Sequence, residues 1–528
     1  MKKTMKQHSF ASRLKSLVLV FGIALAFASC ANEEIAQNPN GTDNNKNFTI
    51  FSTGDPATRT SMESNGAFYW EAGDKIWVKD DNGAWQQSRN APTEKTASFK
   101  FEVPGKFTKT TTYKVYYPGQ YGNQNQVTIA ANQSQAMPNT TAHFGTSGDC
   151  GMADAAWSNA KNGFAFTLDH KAAYLLLLPR TANSVLHDCY LTKVEISSDN
   201  DITSIYTLDP TTGELTGTGT GKQIAISTGG SGTYPNGFPL TNNVTSAATN
   251  GAYVVIKPGT HALKIRYWVK DVITGIEGTI TKTLASAIYD QNKYYNITAN
   301  LDVRNYDGNH YYMWDAQDQY WKGHEWYNGG SQPTIIQGLP GATTSNDYPK
   351  NNMDSRYHNE AFTSGGVDNP ATHTSCKDLP NANEMVWYAE KGEPRWDEEE
   401  LWTTMGHLHV GGMWFKKKVY ISGYNKNIDP DGSDRRANRI EGHWSVSHIL
   451  PNATEANKFF YLPALGYYND WGELSNPGYY GYYWSSNAAP DANGLAYRLR
   501  FNRNETYVSC YSRIYGFIAQ PFSDFGDN

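Results

Sequence analysis

The sequence predicts a mainly β protein with several domains. Aromatic residues make up 13% of the chain, with 35 Tyr and 15 Trp, and the chain also has 47 Gly. Aromatic side chains favour strands, and glycine favours the turns between them. Short segments in which apolar residues alternate with polar ones recur along the chain, beginning with Phe48 and Ile50. A length of 528 residues is enough for two to four such domains.

The N-terminus predicts an export signal over residues 1–29. A basic segment precedes an apolar stretch, Ser16–Ala28, that is too short for a membrane span. Ala28 and Ser29 then precede Cys30, which resembles a lipobox and implies lipid attachment at Cys30 on a bacterial outer membrane. The alternative is an ordinary secretory signal followed by a chance cysteine. Residues 30–46 are polar and predict a flexible tether.

The charge of the chain bears on its possible partners, and its cysteines bear on possible disulfides. The net charge is −6 and basic residues are not clustered, which argues against a nucleic-acid partner. Beyond Cys30 the chain has four cysteines, Cys150, Cys189, Cys376 and Cys510. An exported protein can form disulfides, but the spacing leaves their pairing open.

Residues 47–160 predict a first β-sandwich. Phe68–Val78 is interpreted as a strand, a tight turn at Gly73-Asp74 and a second strand with Ile76 and Val78 on one face. Further strands are predicted at Phe99–Val103 and Tyr113–Tyr117.

Residues 161–302 predict a second sandwich. Phe166–Leu178 includes a strongly apolar run that suits a buried strand. Several period-two pairs, such as Val194 with Ile196, follow it, and Asn292–Leu301 is expected to be the closing strand.

Thr58-Arg59-Thr60, followed by Phe68-x-Trp70-x-x-Gly73-Asp74-x-Ile76-x-Val78, resembles the opening of the fimbrillin family. The resemblance implies two transthyretin-like β-sandwiches, a place in a fimbrium and other fimbrial subunits as partners. It also implies cleavage at Arg59, which would remove the first strand and open a groove for a neighbour's strand. The alternative is that Arg59 lies in a polar loop.

Residues 303–528 predict a third module that has its own core and folds alone. Asn381 and Glu384 are spaced as a capping box at the start of a helix that Gly392 ends. A second helix is predicted over Asp397–Met405, because acidic residues fill its first turn and a glycine follows it.

Several motifs of this module resemble the FISUMP domain: Leu379-Pro380 before the helix, Tyr482-Tyr483-Trp484-Ser485-Ser486, and Arg513-x-x-Gly516-Phe517 in the last strand. The resemblance implies an α+β C-type-lectin-like domain that binds a ligand. The calcium-dependent sugar motifs of such lectins are incomplete here, so that mode of binding does not carry over.

No residue set predicts catalysis, a cofactor or a metal, and we expect the protein not to be an enzyme. His407 and His409 alternate as metal ligands on a strand would, but a hydrogen-bonded pair is the alternative. Asp429–Asp434 is an acidic segment whose main interpretation is an ordinary Asp-Gly turn.

Four aromatic residues are candidates for ligand binding because they lie among Gly, Asn and Asp: Trp321, Trp326, Tyr467 and Trp471. Such rings stack on sugars or anchor protein interfaces. The alternative is that they fill the core of a module poor in Leu and Val. Trp387, Trp414 and Trp484 are expected in that core.

Two functions remain. The first is a fimbrial tip adhesin that binds a host or microbial glycan or protein. The second is a solitary outer-membrane lipoprotein that binds host or dietary glycans without polymerising.

Replacing Cys30 with Ala should remove the lipid anchor and release the protein from the membrane fraction. Fractionation and metabolic labelling with palmitate measure both effects. A Cys30→Ala variant that stays membrane-bound and lipid-labelled would show that Cys30 is not the anchor.

Overall fold

The computed structural model describes residues 48–53, 61–62, 68–217, 219–230, 232–335, 346–357 and 370–527. Cys30 and Arg59 lie outside these residues. Over the described part the protein is mainly β, as the sequence predicts.

The first twelve strands build the first module and contribute two strands to the second. These strands are β1 Thr49–Thr53, β2 Ser61–Met62, β3 Phe68–Tyr69, β4 Trp77–Lys79, β5 Trp85–Gln87, β6 Lys100–Val103, β7 Tyr113–Tyr117, β8 Gln126–Ile129, β9 Asn132–Gln135, β10 Gly151–Ser158, β11 Gly163–Phe166 and β12 Asp169–His170. An eight-stranded sheet has the order β5-β4-β7-β10-β11-β1-β6, with β12 paired to β10.

The Gly73-Asp74 turn is present, but its flanking strands do not form a hairpin. Strand β3 pairs with β2, whereas β4 pairs with β5 and β7. Gly73 has φ 87, which suits glycine. The buried Asp74 carboxylate accepts hydrogen bonds from the Tyr117 hydroxyl at 2.8 Å and the Gln120 amide at 3.0 Å. These bonds connect the turn to the end of β7 and to the residues that follow it.

Ten strands follow: β13 Ala173–Arg180, β14 Cys189–Ser198, β15 Ser204–Leu208, β16 Leu215–Thr216, β17 Gln223–Thr228, β18 Phe238–Pro239, β19 Ala252–Ile256, β20 Gly259–Asp271, β21 Glu277–Tyr289 and β22 Tyr294–Asn300. A three-stranded sheet, β19-β13-β22, packs against a six-stranded sheet, β21-β20-β14-β17-β9, to which β18 is added. The predicted apolar strand is confirmed as β13, the buried centre of the smaller sheet.

The predicted boundary at residue 160 does not separate the two modules. Strand β9 pairs in parallel with β17, and β8 pairs with β15, so residues 126–135 belong to the second module's sheets. The chain returns to the first module at β10, and β11, at Gly163–Phe166 beyond the predicted boundary, still belongs to it and pairs with β1. The chain therefore passes from the first module into the second and back.

Two buried glutamines of β9, Gln133 and Gln135, form what we call the glutamine pair. The Gln133 amide donates to the Val255 carbonyl at 2.8 Å and accepts from the Val255 N–H at 3.0 Å. Gln135 accepts from the Tyr253 N–H at 2.7 Å and donates to the Gly251 carbonyl at 2.9 Å. The two side chains thus take the place of a neighbouring strand along the edge of β19.

The third module contains β23 Arg304–Tyr306, β24 Tyr311–Tyr312, β25 Arg395–Thr404, β26 His407–Lys416, β27 Gly442–Ser445, β28 Phe459–Pro463, β29 Tyr467–Tyr468, β30 Leu474–Ser475, β31 Gly481–Ala488, β32 Leu495–Phe501, β33 Glu505–Ser512 and β34 Phe517–Ile518. Its main sheets are β23-β25-β26-β28 and β24-β34-β31-β32-β33-β27. A largely aromatic core involves both sheets.

Helices are short throughout the described residues. The α-helices are Phe144–Ser147, Ala247–Asn250, Thr374–Lys377 and Ala382–Val386, a π-helix spans Trp387–Lys391, and 3-10 turns are Ser184–Asp188, Trp326–Asn328, Lys418–Tyr420, Ala456–Lys458 and Phe522–Phe525. The capping box is confirmed, since Asn381 and Glu384 bond each other's backbone N–H groups.

The helix predicted over Asp397–Met405 is wrong, because this segment belongs to strand β25. The Asp397 carboxylate accepts the N–H groups of Glu399 and Glu400 at 2.9 and 3.0 Å. These bonds accompany a bulge between Asp397 and Leu401. The acidic residues therefore mark a bulge in a strand, where the sequence pattern indicated the first turn of a helix.

The second and third modules share buried surface. Leu401 and Leu408 belong to the core of the second module. The Asp271 carboxylate accepts from the Leu408 N–H at 3.2 Å and lies 3.1 Å from His407 Nδ1. Burial acts to raise the pKa of Asp271, but hydrogen bonds from Ile273, Leu408 and His407 outweigh burial and lower it. A fragment starting at Val303 would expose both leucines, although the third module also has an aromatic core of its own.

Replacing Gln133 with Leu should lower the free energy of unfolding by about 2–4 kcal/mol, because the N–H and C=O of Val255 would lose their partners. Chemical denaturation measures the change. Gln126→Leu, at an exposed position of β8, is the control and should shift stability by less than about 0.5 kcal/mol. Equal effects of the two substitutions would contradict a structural role for the glutamine pair.

Candidate interaction sites

Strand β1 is an interior strand of the first sheet. It pairs in parallel with β11 and antiparallel with β6, so Phe51 stands opposite both Phe164 and Phe101. An interior strand uses its hydrogen-bonding groups on both sides. Its removal would leave two unpaired edges facing each other across a gap one strand wide.

Phe51 anchors β1 in the core of the first module. Its ring is fully buried and stacks on Phe164, with centroids 4.9 Å apart and planes at 17°. Phe107 and Tyr113 approach it edge-on at 5.1 and 6.5 Å. Without β1 the gap would therefore be lined by aromatic rings, which suits a replacement strand with a large apolar residue at the same place.

The four aromatic candidates from the sequence fall in different environments. Trp471 is 61% exposed, at the tip of the β29–β30 hairpin. Trp326 and Tyr467 are partly buried. Trp321 is fully buried.

The prediction that Trp321 is a surface ligand-binding residue is wrong. Its ring lies 5.9 Å from Tyr468 and 6.4 Å from Tyr348, within the core of the third module. The physical reason is composition, because a module poor in Leu and Val fills its interior with rings. Trp387 and Trp484 occupy buried positions as expected, whereas Trp414 is only partly buried.

Tyr467 belongs to a larger surface that the sequence analysis missed. Its ring contacts Tyr482, Phe517 and Tyr515, with centroids 4.5, 5.5 and 5.8 Å apart. Burial raises the pKa of Tyr467. This surface, which we call the tyrosine face, is formed by Tyr467, Tyr480, Tyr482, Tyr507, Tyr511 and Tyr515 around Arg498 and Arg500.

Strand alternation places the tyrosine face on one side of its sheet. Tyr497, Leu499 and Phe501 of β32 point into the core, so Arg498 and Arg500 lie on the opposite side. In register, Arg500 stands between Tyr482 of β31 and Tyr507 of β33. The available signal in the sequence was even spacing: two residues between Tyr480 and Tyr482 and between Arg498 and Arg500, and four between Tyr507, Tyr511 and Tyr515.

The two histidines considered as metal ligands have protein partners. His407 is paired with Asp271 across the module interface, and His409 stacks on Trp402 with centroids 4.9 Å apart. The Asp429 carboxylate pairs with Arg435 at 2.7 Å. In the described residues no group of three or more His, Cys, Asp and Glu side chains is arranged to hold a metal ion.

The four described cysteines are buried and form no disulfide: Cys150, Cys189, Cys376 and Cys510. Burial raises the pKa of Cys189, Cys376 and Cys510 to about 12 in each case. Such thiols are poor nucleophiles at neutral pH.

The described residues include no helix with the length and apolarity that a membrane crossing requires.

No protein-family model matches the chain, and no curated protein matches it by sequence. Three solved structures are similar at low identity. A fimbrial protein from Bacteroides ovatus is 11% identical over 89% of this chain and 98% of its own, with a TM-score of 0.27. The fimbrial anchor protein Mfa2 from Porphyromonas gingivalis is 12% identical over 48% of this chain and 90% of its own, with a TM-score of 0.22. A candidate cell adhesion protein from Bacteroides uniformis is 18% identical over 49% and 94%, with a TM-score of 0.26. Similarity at this level carries no argument about function.

Trp321→Ala should lower the free energy of unfolding by about 3–5 kcal/mol, since it empties part of a packed core. Trp471→Ala should change it by less than about 0.5 kcal/mol, since that ring is mostly in solvent. Urea denaturation of both variants tests the assignment. Similar losses from the two substitutions would contradict it.

Proposed function

We propose that this chain is a surface-exposed fimbrial subunit at the tip of a fibre. It accepts a neighbour's strand through the first module and presents the third module to a ligand. The protein acts by binding and assembly and catalyses no reaction. Its partners are other fimbrial subunits and a glycan or protein ligand.

The position of β1 carries this proposal. The strand is interior, its central ring is buried, and the segment with Arg59 follows it directly in the sequence. Cleavage after Arg59 would separate β1 from the rest of the module while the two neighbouring strands remain in place. A neighbour's strand that entered the gap would then form hydrogen bonds with both β6 and β11, so it would be held along both of its edges.

The end of the second module supports the tip position. Strand β22 ends at Asn300 and β23 of the third module begins at Arg304. Asp302 between them accepts hydrogen bonds from the Thr181 hydroxyl at 2.8 Å and the Ala182 N–H at 2.6 Å. This end of the sandwich is therefore committed to the third module and offers no strand to a further subunit.

The lipid at Cys30 would route the protein through export to the outer membrane. The same cleavage at Arg59 that frees the groove would release the chain from its anchor. Assembly and detachment would then be one event.

A solitary outer-membrane lipoprotein is the second candidate. The observation that favours it is that β1 already completes the first sheet, with Phe51 fully buried. An uncleaved chain has no groove to offer, and it would display the exposed Trp471 from the cell surface.

Gold-labelled antibody against residues 303–528 should mark one end of each surface fibre. Arg59→Ala should abolish this end labelling and leave the label at the cell surface, because the groove stays filled. Lys106→Ala, at an exposed basic residue of the same module, is the control and should label like the wild type. Labelling along the shafts would make the protein a stalk subunit, and surface labelling without fibres in the wild type would favour the solitary lipoprotein.

A further inference from the structure

The tyrosine face contains a buried guanidinium group with no acidic partner. Arg498 is 5% exposed, and its Nε and Nη1 atoms are buried without a hydrogen-bond acceptor in the described protein. Burial lowers the pKa of Arg498 to about 10, so the group stays charged at neutral pH. A buried charge with unfilled donors is costly unless something accepts from them.

Aromatic rings supply the immediate surroundings of this charge. The guanidinium carbon lies 4.7 Å from the ring centre of Tyr511, 5.2 Å from Tyr482 and 5.7 Å from Phe517. Ring faces attract a cation, but they do not accept the directed hydrogen bonds of its N–H groups. The Nε and Nη1 donors of Arg498 are therefore left without an acceptor within the described protein.

A second arginine doubles the positive charge of the same face. Arg500 lies two residues along β32, and its Nε is also buried without an acceptor. Only its terminal nitrogen is paired, with Glu505. Glu441, whose charge favours the Arg498 cation, accepts from Arg439 and from the Cys510 N–H. Arg498 is thus the cation of the face that no carboxylate of the described residues pairs with.

The tyrosines around the arginines have uncommitted hydroxyls. No hydrogen bond within the described protein satisfies the hydroxyls of Tyr480, Tyr482 or Tyr507, and none of these oxygens is fully buried. Ring faces with adjacent hydroxyls and a guanidinium suit a ligand that has flat apolar patches, many hydroxyls and a carboxylate or sulfate.

We propose that the tyrosine face is a binding site for an acidic saccharide, whose carboxylate or sulfate is received by Arg498 and Arg500 while its ring packs on the tyrosines. Because the Arg498 donors are buried, an anionic group reaches them only if a covering ring moves. Of the rings over Arg498, Tyr511 is the most exposed, at 36%, and is the one that would have to turn aside. At its other end the face is closed, because Trp484, two residues beyond Tyr482 on β31, is buried in one cluster with Trp314, Cys376 and Leu379. The ligand therefore enters from the Tyr480–Tyr511 side.

This inference specifies the ligand in the proposed function, but it does not depend on fibre assembly. Binding by the purified full chain in solution tests the face alone, whereas the labelling experiment tests only the position in a fibre. Failure of one therefore leaves the other standing.

Tetragalacturonate is a suitable probe, with its fully methyl-esterified form as the matched neutral ligand. Calorimetry should show binding of the acid form and about tenfold or weaker binding of the ester. Arg498→Gln should weaken binding of the acid form about tenfold or more, through loss of a charge-assisted pair, and added salt should weaken wild-type binding. Arg503→Gln, at an exposed arginine of the next turn, is the control and should bind as the wild type does.

If Arg498→Gln fails to fold, Arg500→Gln and Tyr511→Ala provide the same test on less buried positions. A sulfated heparin tetrasaccharide is the second acidic saccharide, and a hexaglutamate peptide tests binding of an acidic peptide. The proposal is overturned if neither acidic saccharide binds, if acid and ester bind equally, or if the folded variants bind like the wild type. Tighter binding of hexaglutamate than of both saccharides would overturn it as well and make the face a site for acidic peptides.

Discussion

The glutamine pair joins the two halves of the central sandwich, and the arrangement of the modules depends on it. Strand β19 is the edge of the smaller sheet, and its outer N–H and C=O groups would otherwise be buried without partners. Gln133 and Gln135 supply these partners from β9, the edge of the larger sheet. Amide side chains can do this because each carries a donor and an acceptor, as a peptide group does. The two sheets are thereby closed along one side by side chains where a further strand would otherwise be needed.

This closure also explains why the first and second modules form one body. The residues of β9 enter the second module only because the chain leaves the first sheet after β7 and returns to it at β10. Further along, Leu401 and Leu408 of the third module lie in the same apolar core, and the buried Asp271 binds both the backbone and a histidine of that module. The third module is therefore held to the second by buried contacts.

The sequence predicted the elements whose structure is decided by the spacing of apolar residues or by hydrogen bonds between residues close in the chain. The β13 run, the alternating strands and the capping box at Asn381 were predicted because each is a short-range pattern. Three features escaped it for a physical reason. The polar strand β9 has no apolar face, since its buried residues are amides. The acids after Trp396 stabilise a bulge by the same carboxylate-to-backbone bonds that begin a helix. Trp321 lies in a polar stretch of sequence but within a core made of rings.

The candidate sites likewise divide into features that a local sequence pattern indicates and features that only tertiary pairing shows. The place of β1 as an interior strand follows from pairings with β6 and β11, which no local pattern reveals. The tyrosine face was foreseen only through Tyr467, because Arg498 reads as a surface charge in the sequence and only the structure shows that it is buried. The sequence therefore identified individual candidate residues, and the tertiary pairings show which of them lie together.

The place of β1 has a consequence for the order in which the protein folds. Its partner β11 lies far along the chain, beyond strands β8 and β9 of the second module, so β1 can pair with β6 well before it can pair with β11. Closing so long a loop costs entropy, and the gain from pairing comes only at the end. One hydrogen-bonding edge of β1 therefore stays open until β11 has been made. Until then any other extended segment nearby competes with β11 for that edge, and β11 has the advantage of a high local concentration because it belongs to the same chain.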